Sequence, residues 1–264
     1  MRVNFRLAVA AIGFILLTNC GSSNSSSDND SCGTIGLDDK SLINDKIIDG
    51  TACDPTSSPV VEVLINFADG SGGLCSGTML DSTHVLTAGH CFENPVSAVE
   101  ADNGIQGSVA SGFVVHPQFA TDPTTGVLTN DVAIVTLANP LTLPSLPILR
   151  SREAASGDQI EIYGYGKDEN GNIQVLKGGF MQVTDVSENS ILAIFTGSES
   201  DTCNGDSGGP AVDVNSNGAY GVAGTTSTGT SATCSTGDQS LFMNMFDDTI
   251  FNFIVEQVPD VSTI

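Results

Sequence analysis

The chain has 264 residues, with 8 basic against 31 acidic side chains and a formal net charge of −23 at pH 7. Such a charge repels the phosphate backbone, so it excludes nucleic-acid binding as a main activity and favours the attraction of cationic substrates. The length and the 40% hydrophobic content suit one compact unit, or two small units that share a cleft.

Residues 1–20 are typical of an export signal. Two arginines precede the apolar run Leu7–Leu17, which is too short to span a membrane as a stable helix. The run ends in Leu-Thr-Asn-Cys-Gly, which resembles the processing box of bacterial lipoproteins, where the cysteine, here Cys20, carries the lipid. Asn19 is larger than the residue usual at that place, so ordinary secretion stays open. The expected location is an outer-membrane or cell-surface lipoprotein, tethered through Cys20, or a secreted protein.

Residues 21–46 are expected to form a flexible tether followed by a propeptide. The first part, Gly21–Asp30, consists almost entirely of Ser, Asn and Asp. Such a segment cannot bury enough apolar surface to fold on its own. The folded part of the chain is therefore expected from about residue 47 onward.

Short alternating apolar stretches recur from Val60 onward, with Gly, Asn, Asp and Pro between them. This spacing favours an all-β fold of closed antiparallel sheets. A connector rich in Pro and Leu, residues 139–149, divides the strands into two series. The predicted strands are Val60–Ile65, Val85–Leu86, Phe113–Val115, Val132–Leu137, Gln159–Tyr163, Gly179–Val186, Ile191–Phe195, Ala211–Val214, Gly221–Gly224 and Leu241–Met245.

The stretch Asp201–Pro210 surrounds Ser207 with small residues, Gly205, Gly208 and Gly209. Glycines on both sides of a serine let the backbone approach another molecule closely. Taken alone, the motif is equally typical of a Gly-rich surface turn. A serine hydroxyl becomes a good nucleophile only when a base removes its proton, so the pattern is informative only together with a histidine.

His90 and Asp131 could supply the base that Ser207 needs and the carboxylate that orients this base. His90 lies in Leu-Thr-Ala-Gly-His-Cys-Phe, directly after an apolar strand. Asp131 opens the apolar stretch Val-Ala-Ile-Val, where a carboxylate is costly unless it has a partner. The other two histidines, His84 and His116, are expected to be structural.

The stretches Thr-Ala-Gly-His-Cys, Asn-Asp-Val-Ala and Gly-Asp-Ser-Gly-Gly-Pro, in the order His, Asp, Ser, resemble the signatures of the trypsin/chymotrypsin family of serine endopeptidases. The similarity extends over about residues 47–258. It implies two six-stranded antiparallel β-barrels packed side by side, over about 47–140 and 150–246. Residues 247–258, with apolar residues at helical spacing, match the family's terminal helix. Nothing in the sequence points to a cofactor or a metal site: Glu93, Glu100 and Asp102 lie in the region where some relatives bind calcium, but their spacing is not diagnostic.

The resemblance also implies a role for each residue of the set. Ser207 would attack the scissile carbonyl of a protein or peptide substrate, His90 would take and return the proton, and Asp131 would orient the imidazole. The backbone N–H groups of Gly205 and Ser207 would bind the oxyanion.

Seven cysteines in an exported chain indicate disulfide bonds and at least one cysteine outside them. The resemblance implies one pair that braces the loop of His90, and one that braces the wall beside Ser207. These pairs are Cys75 with Cys91 and Cys203 with Cys234. If Cys20 carries lipid, Cys32 and Cys53 remain as a third pair, which would keep the propeptide attached after cleavage.

The stretch Asn-Asp-Lys-Ile-Ile-Asp-Gly resembles the family's zymogen junction. Cleavage after Lys46, by another protease or by the enzyme itself, would free the α-amino group of Ile47. In the family this new cation pairs with the acid before the nucleophile, here Asp206. The alternative is that Lys46 and Ile47 merely precede a strand.

Asp201 lies six residues before Ser207, at the base of the pocket that accepts Lys or Arg in trypsin-like members. The family's Ser-Trp-Gly wall is expected at Gly224–Thr226, and the opposite wall at Ser240. Side chains at Thr226 and Ser240 would narrow the pocket. The sequence therefore leaves open a preference for small or aromatic residues, or a non-catalytic relative that binds partners on the cell surface.

Overall fold

The computed structural model describes Ile47, residues 50–231 and residues 233–264. The predicted leader, the lipid site Cys20, the tether, Cys32 and Lys46 lie outside the described residues. The described part contains fifteen β-strands, two short 3-10 helices and one α-helix. None of its helices is both long enough and apolar enough to cross a membrane.

The strands are short, and the named strands pair antiparallel with their neighbours in each sheet. In chain order they are β1 (Thr51–Ala52), β2 (Val60–Phe67), β3 (Gly72–Met79), β4 (His84–Thr87), β5 (Val96–Asp102), β6 (Gly107–Val115), β7 (Ala120–Thr121), β8 (Leu128–Thr129), β9 (Ala133–Leu137), β10 (Gln159–Gly164), β11 (Lys177–Val186), β12 (Ser190–Ile194), β13 (Pro210–Val214), β14 (Tyr220–Gly229) and β15 (Gln239–Asn244).

The first barrel is a closed sheet in the order β2-β3-β4-β9-β6-β5. Val61, Val63 and Ile65 of β2 are buried in its core, as the alternation of the sequence predicts. Gly77 of β3 has no side chain because a Cβ there would lie 2.5 Å from Val85 Cγ1 across the barrel. The strands β7 and β8 form a separate two-stranded ribbon.

The second barrel closes in the order β10-β11-β12-β15-β14-β13, with β1 added to β11 outside the ring. Its core contains Ile160 and Ile162 of β10 together with Met181 and Val183 of β11. The predicted architecture of two six-stranded antiparallel barrels is therefore confirmed.

Two strands of the first barrel were not predicted from the sequence. β3 contains glycine at three of its eight positions, and β5 alternates poorly, with Glu100 and Asp102 near its end. Their strand conformation is set by the closure of the barrel, because both pair with β2. Tertiary pairing here overrides weak local propensity.

A third core lies between the two barrels. Leu86 and Ile134 of the first barrel meet Val212 and Met243 of the second in one apolar cluster. The terminal helix α1 (Asp248–Gln257) packs on the same cluster through its buried residues, and Asp247 caps it by accepting hydrogen bonds from the N–H groups of its first turn. The predicted helix over 247–258 is confirmed to within one residue at each end.

Two disulfides link described residues, as the resemblance implied. Cys75 of β3 is bonded to Cys91, and Cys203 is bonded to Cys234. Their sequence separations of 16 and 31 residues correspond to about 3 to 4 kcal/mol each in the chain-entropy account of cross-linking. Cys53 is also disulfide-bonded, and its predicted partner Cys32 lies outside the described residues.

The chain from Ile47 onward contains four basic residues, and three of them form ion pairs. Arg150 contacts Asp248 of α1, Arg152 contacts both Asp158 and Asp213, and Lys177 contacts Asp168. Lys167 has no ion-pair partner among the described residues and is exposed.

Candidate active site

His90 and Asp131 come from neighbouring segments of the first barrel. His90 lies in the 3-10 helix Gly89–Phe92 that follows β4, and Asp131 lies just before β9. The carboxylate of Asp131 is fully buried, and its Oδ2 lies 2.7 Å from His90 Nδ1. Its Oδ1 accepts the backbone N–H of His90 at 2.7 Å. One carboxylate therefore fixes both the main chain and the ring of the histidine.

Ser207 reaches the other side of the imidazole from the second barrel. Its Oγ lies 3.0 Å from His90 Nε2, so the three side chains form a continuous hydrogen-bonded series. The turn that carries Ser207 requires glycine at the next position, because Gly208 has φ of 87° and a Cβ there would lie 2.1 Å from Thr87 Oγ1. The small residues around Ser207 thus allow its loop to dock against the first barrel.

The environment of His90 favours its charged form. Burial of the ring works in the opposite direction, but the hydrogen bond and the negative charge of Asp131 outweigh it and raise the pKa of His90 above its ordinary value. A carboxylate at Nδ1 places the proton of the neutral ring on that nitrogen. Nε2 is then free to accept the proton of Ser207.

The second barrel supplies a further partner of Asp131 that sequence reasoning missed. Ser227, on β14, donates its hydroxyl to Asp131 Oδ2 at 2.5 Å. Ser227 and Gly229 have the Ser-x-Gly spacing of the family's Ser-Trp-Gly wall, and this spacing could have identified Ser227 from the sequence. The wall beside the reacting groups is accordingly formed by residues 226–229, so that only Thr226 of the predicted stretch Gly224–Thr226 belongs to it.

The loop before Ser207 carries two backbone donors with no acceptor. Among the described residues, neither the N–H of Gly205 nor that of Ser207 donates a hydrogen bond to the protein. Ser76 of β3 holds this loop from the first barrel. Its Oγ donates to the carbonyl of Gly205 at 2.9 Å and accepts from the N–H of Tyr165 at 2.9 Å, and its own N–H donates to the carbonyl of Ser207 at 2.8 Å.

A cavity of about 310 Å³ opens next to His90 and Ser207. One side of it is the disulfide of Cys203 and Cys234, and the other is the wall of residues 226–229. The cavity lies beside the nucleophile, so it is suited to hold a group attached to the atom that Ser207 attacks.

The family follows from the sequence comparison. The sequence model described as Trypsin matches residues 47–250. The chain belongs to the trypsin family. It is 28% identical to "Trypsin" of Sus scrofa over 194 residues, which cover 64% of this chain and 80% of that protein. It is 30% identical to "Trypsin II-P29" of Gallus gallus, covering 64% of this chain and 74% of that protein, and 27% identical to "Kallikrein 1-related peptidase b22" of Mus musculus, covering 67% and 78%.

The match to the trypsin family begins at Ile47, and this residue is buried in the described structure. Its side chain is 3% exposed and lies in the core of the second barrel, where Cys203 also packs. The backbone N–H of Cys203 donates to Asp206 Oδ2 at 2.8 Å. Ile47 and Asp206, two of the residues that the resemblance assigned to activation, therefore lie in one region of the second barrel.

Asp206 is a buried acid that depends on two glycines for its space. A Cβ on Gly164 or Gly166 would lie 2.2 or 2.5 Å from its carboxyl group. Its oxygens accept the N–H groups of Gly166 and Cys203, each at 2.8 Å. Burial nevertheless raises the pKa of Asp206 to about 7, with only weak opposition from the charge of Lys177.

The other predicted pocket residues are placed differently from the expectation. Thr226 lines the cavity, but Asp201 and Ser240 do not. Both are fully buried, and Ser240 Oγ donates to Asp201 Oδ1 at 2.8 Å while lying 2.6 Å from Thr202 Oγ1. The hydroxyl groups of Thr202 and Ser240 thus connect Asp201 to the cavity.

Proposed function

We propose that the protein is a serine endopeptidase that hydrolyses peptide bonds with Ser207, His90 and Asp131. Membership of the trypsin family supports a serine-type peptidase, and one observation carries the residue assignment. Ser207 Oγ, both ring nitrogens of His90 and the Asp131 carboxylate form a single series with contacts of 3.0 and 2.7 Å.

The chemistry follows from this series. Ser207 Oγ attacks the scissile carbonyl as His90 Nε2 takes its proton, and the resulting imidazolium is stabilised by Asp131. His90 then gives the proton to the leaving amine, and water releases the acyl group by the same steps in reverse order. The unpartnered N–H groups of Gly205 and Ser207 stabilise the negative charge that forms on the carbonyl oxygen, because they are in place before it develops.

The substrate residue before the cleaved bond is Arg or Lys in this proposal. The support is the acidic character of the site: Asp201 is buried beneath the cavity, and its Oδ2 has no partner among the described residues. Burying a carboxylate without a partner is costly, and a cationic substrate group would supply that partner. The strong negative charge of the chain would also attract basic substrates.

Cleavage after Lys46 activates the enzyme in this proposal. The freed amine of Ile47 would pair with Asp206, which is buried, has no ion-pair partner among the described residues and lies in the same region as the Ile47 side chain. Breaking such a buried pair typically costs about 3–5 kcal/mol, so its formation can order the loop of Gly205 and Ser207. The activating protease can be another enzyme or a second copy of this one.

Export and attachment complete the proposal. The disulfides are typical of an oxidising compartment outside the cytoplasm. The leader directs export, and lipid on Cys20 tethers the protein to a membrane. A bond from Cys53 to Cys32 retains the propeptide after cleavage.

The test uses protein produced with a free amine on Ile47 and a short peptide panel with Arg, Lys, Phe or Ala before the cut. We expect cleavage after Arg and Lys that disappears in Ser207→Ala. Ser207-dependent cleavage after Phe or Ala would retain the peptidase and refute the specificity. No Ser207-dependent turnover on any peptide would refute the enzyme and favour a surface-binding relative.

A further inference from the structure

A second buried carboxylate, that of Asp238, lines the cavity beside Ser207. Asp238 directly precedes β15 and is 3% exposed. It shares the cavity with His90 and Ser207 themselves. Unlike Asp201, it reaches the lining of the cavity directly.

The two oxygens of Asp238 have different surroundings. Oδ1 is fully used, since it accepts from Thr230 Oγ1 at 2.8 Å, from the N–H of Ser231 at 2.7 Å and from the N–H of Gln239 at 2.8 Å. Oδ2 is buried and has no hydrogen-bond partner among the described residues. An unsatisfied buried acceptor costs free energy, and a hydrogen-bond donor from outside the chain would remove that cost at Oδ2.

Gly229 lies in the cavity wall directly in front of that oxygen. A Cβ at this position would lie 3.2 Å from Asp238 Oδ2 and 3.6 Å from Oδ1, so any side chain here would cover the carboxylate. Gly229 is exposed and lines the same cavity. No side chain of residue 229 therefore stands between the cavity and the Asp238 carboxylate.

Asp201 lies close enough to Asp238 for their charges to interact. Burial raises the pKa of Asp201 to about 6, the hydrogen bond from Ser240 opposes the rise, and the charge of Asp238 adds to it. Each carboxylate has one oxygen without a partner. One such acid in the cavity lining and a second one behind it favour a ligand with a positive charge and several donors, such as a guanidinium or an ammonium group.

We infer that Asp238 is the specificity-determining acid that binds the cationic side chain of the substrate residue before the cleaved bond, with Asp201 as the acid behind it. The inference rests on the proposed function. It assigns the recognition of the positive charge on the substrate to Asp238, which directly precedes β15. The substrate cation would enter past Gly229 and donate to Asp238 Oδ2.

The experiment compares Asp238→Asn with the unmutated enzyme, both starting at Ile47. Asn keeps an oxygen for the three donors that Oδ1 serves, and it removes the charge. The substrates are two peptides that differ only in Arg or its neutral isostere citrulline before the cut. Loss of one partner of a buried charge pair costs at least about 30-fold, so we expect the ratio of kcat/KM for Arg over citrulline to fall by that factor or more. Most of the loss should appear in KM and little in the rate on citrulline.

Two further variants make the result specific. Asp185→Asn removes one charge from an exposed position of β11 and should leave the ratio unchanged. Asp201→Asn should reduce the ratio less than Asp238→Asn does. A ratio within about tenfold of the unmutated value in Asp238→Asn, or a larger loss in Asp201→Asn, would overturn the inference.

Failure of the proposed function would look different. A small fluorophosphonate that reacts with the activated serine reports the catalytic set without needing the cavity. Equal labelling of the unmutated enzyme and Asp238→Asn shows that both are folded and active. Weak binding of benzamidine, an amidinium probe, to Asp238→Asn in calorimetry would support the inference by a readout independent of turnover.

Discussion

At the scale of single residues, Asp131 has the most contacts in the site. It accepts from the ring and the backbone of His90 and from the hydroxyl of Ser227, and it is fully buried. Three donors hold one carboxylate in a fixed direction. The imidazole therefore has one tautomer and one orientation available before a substrate arrives.

The substitution Asp131→Asn should lower kcat by about 10⁴ with a much smaller effect on KM, because the neutral amide no longer favours the required tautomer of His90. Since Asp131 raises the pKa of His90, the same substitution should move the acid limb of the pH–rate profile to lower pH. Steady-state rates between pH 5 and about 9 measure both effects. A fall of less than about tenfold, or an unchanged limb, would contradict the role of Asp131.

At the scale of elements, the first barrel supports a loop of the second. Strand β3 ends near the junction, and Ser76 makes three hydrogen bonds there with Gly205, Ser207 and Tyr165. These contacts fix the peptide group before Asp206 and the one after Ser207. The oxyanion donors are thus positioned partly by a strand from the other barrel.

Removing the Ser76 hydroxyl with Ser76→Ala should lower kcat by about fivefold and leave KM nearly unchanged, because one buried hydrogen bond contributes about 1 kcal/mol and here it positions a group used in the transition state. The matched control is Thr78→Val in the same strand, since Thr78 Oγ1 is buried and has no hydrogen-bond partner in the described part of the chain. Equal kcat in Ser76→Ala and Thr78→Val would refute a positioning role for Ser76.

The limits of prediction from sequence are also visible among the elements. Stretches with regular alternation, such as Val60–Ile65 and Gln159–Tyr163, were found because one buried face leaves a period of two in the sequence. Strand β3 was not found, because glycine occupies three of its eight positions and carries no apolar pattern of its own. Ser227 and Asp131 are 96 residues apart in sequence, and their contact forms only when the two barrels meet. Asp238 could not be singled out, because its role depends on the cavity formed around it.

At the scale of the whole molecule, burial of Asp206 would link folding to the proposed cleavage after Lys46. Its pKa of about 7 lies above the ordinary value of 3.8, so the folded chain binds a proton there that the unfolded chain releases. The stability from this group is fully present below pH 3.8 and is lost as the pH rises through 7. A cation that pairs with the ionised carboxylate would reverse the loss.

Uncut Lys46→Gln, combined with Ser207→Ala, should therefore lose stability between pH 4 and 8, by on the order of 4 kcal/mol at most. Urea unfolding at each pH measures this loss. Protein with Ser207→Ala and a free Ile47 amine should keep more of its stability at pH 8. Asp206→Asn in the uncut chain should remove this part of the dependence. The same pH profile in cut and uncut protein would contradict the pairing of Ile47 with Asp206.

The ion pairs of the basic side chains have a consequence for the lifetime of the enzyme. Arg150, Arg152 and Lys177 are held against acids, and their side chains are at most 34% exposed. Lys167 is the one exposed basic residue without an ion pair in the part of the chain described from Ile47 onward, and the next residue, Asp168, is buried. A protease that cuts after Arg or Lys would find hardly any accessible bond in another copy of itself. Such an enzyme can accumulate to a high concentration without self-digestion, and its activity would then be limited by inhibitors or removal.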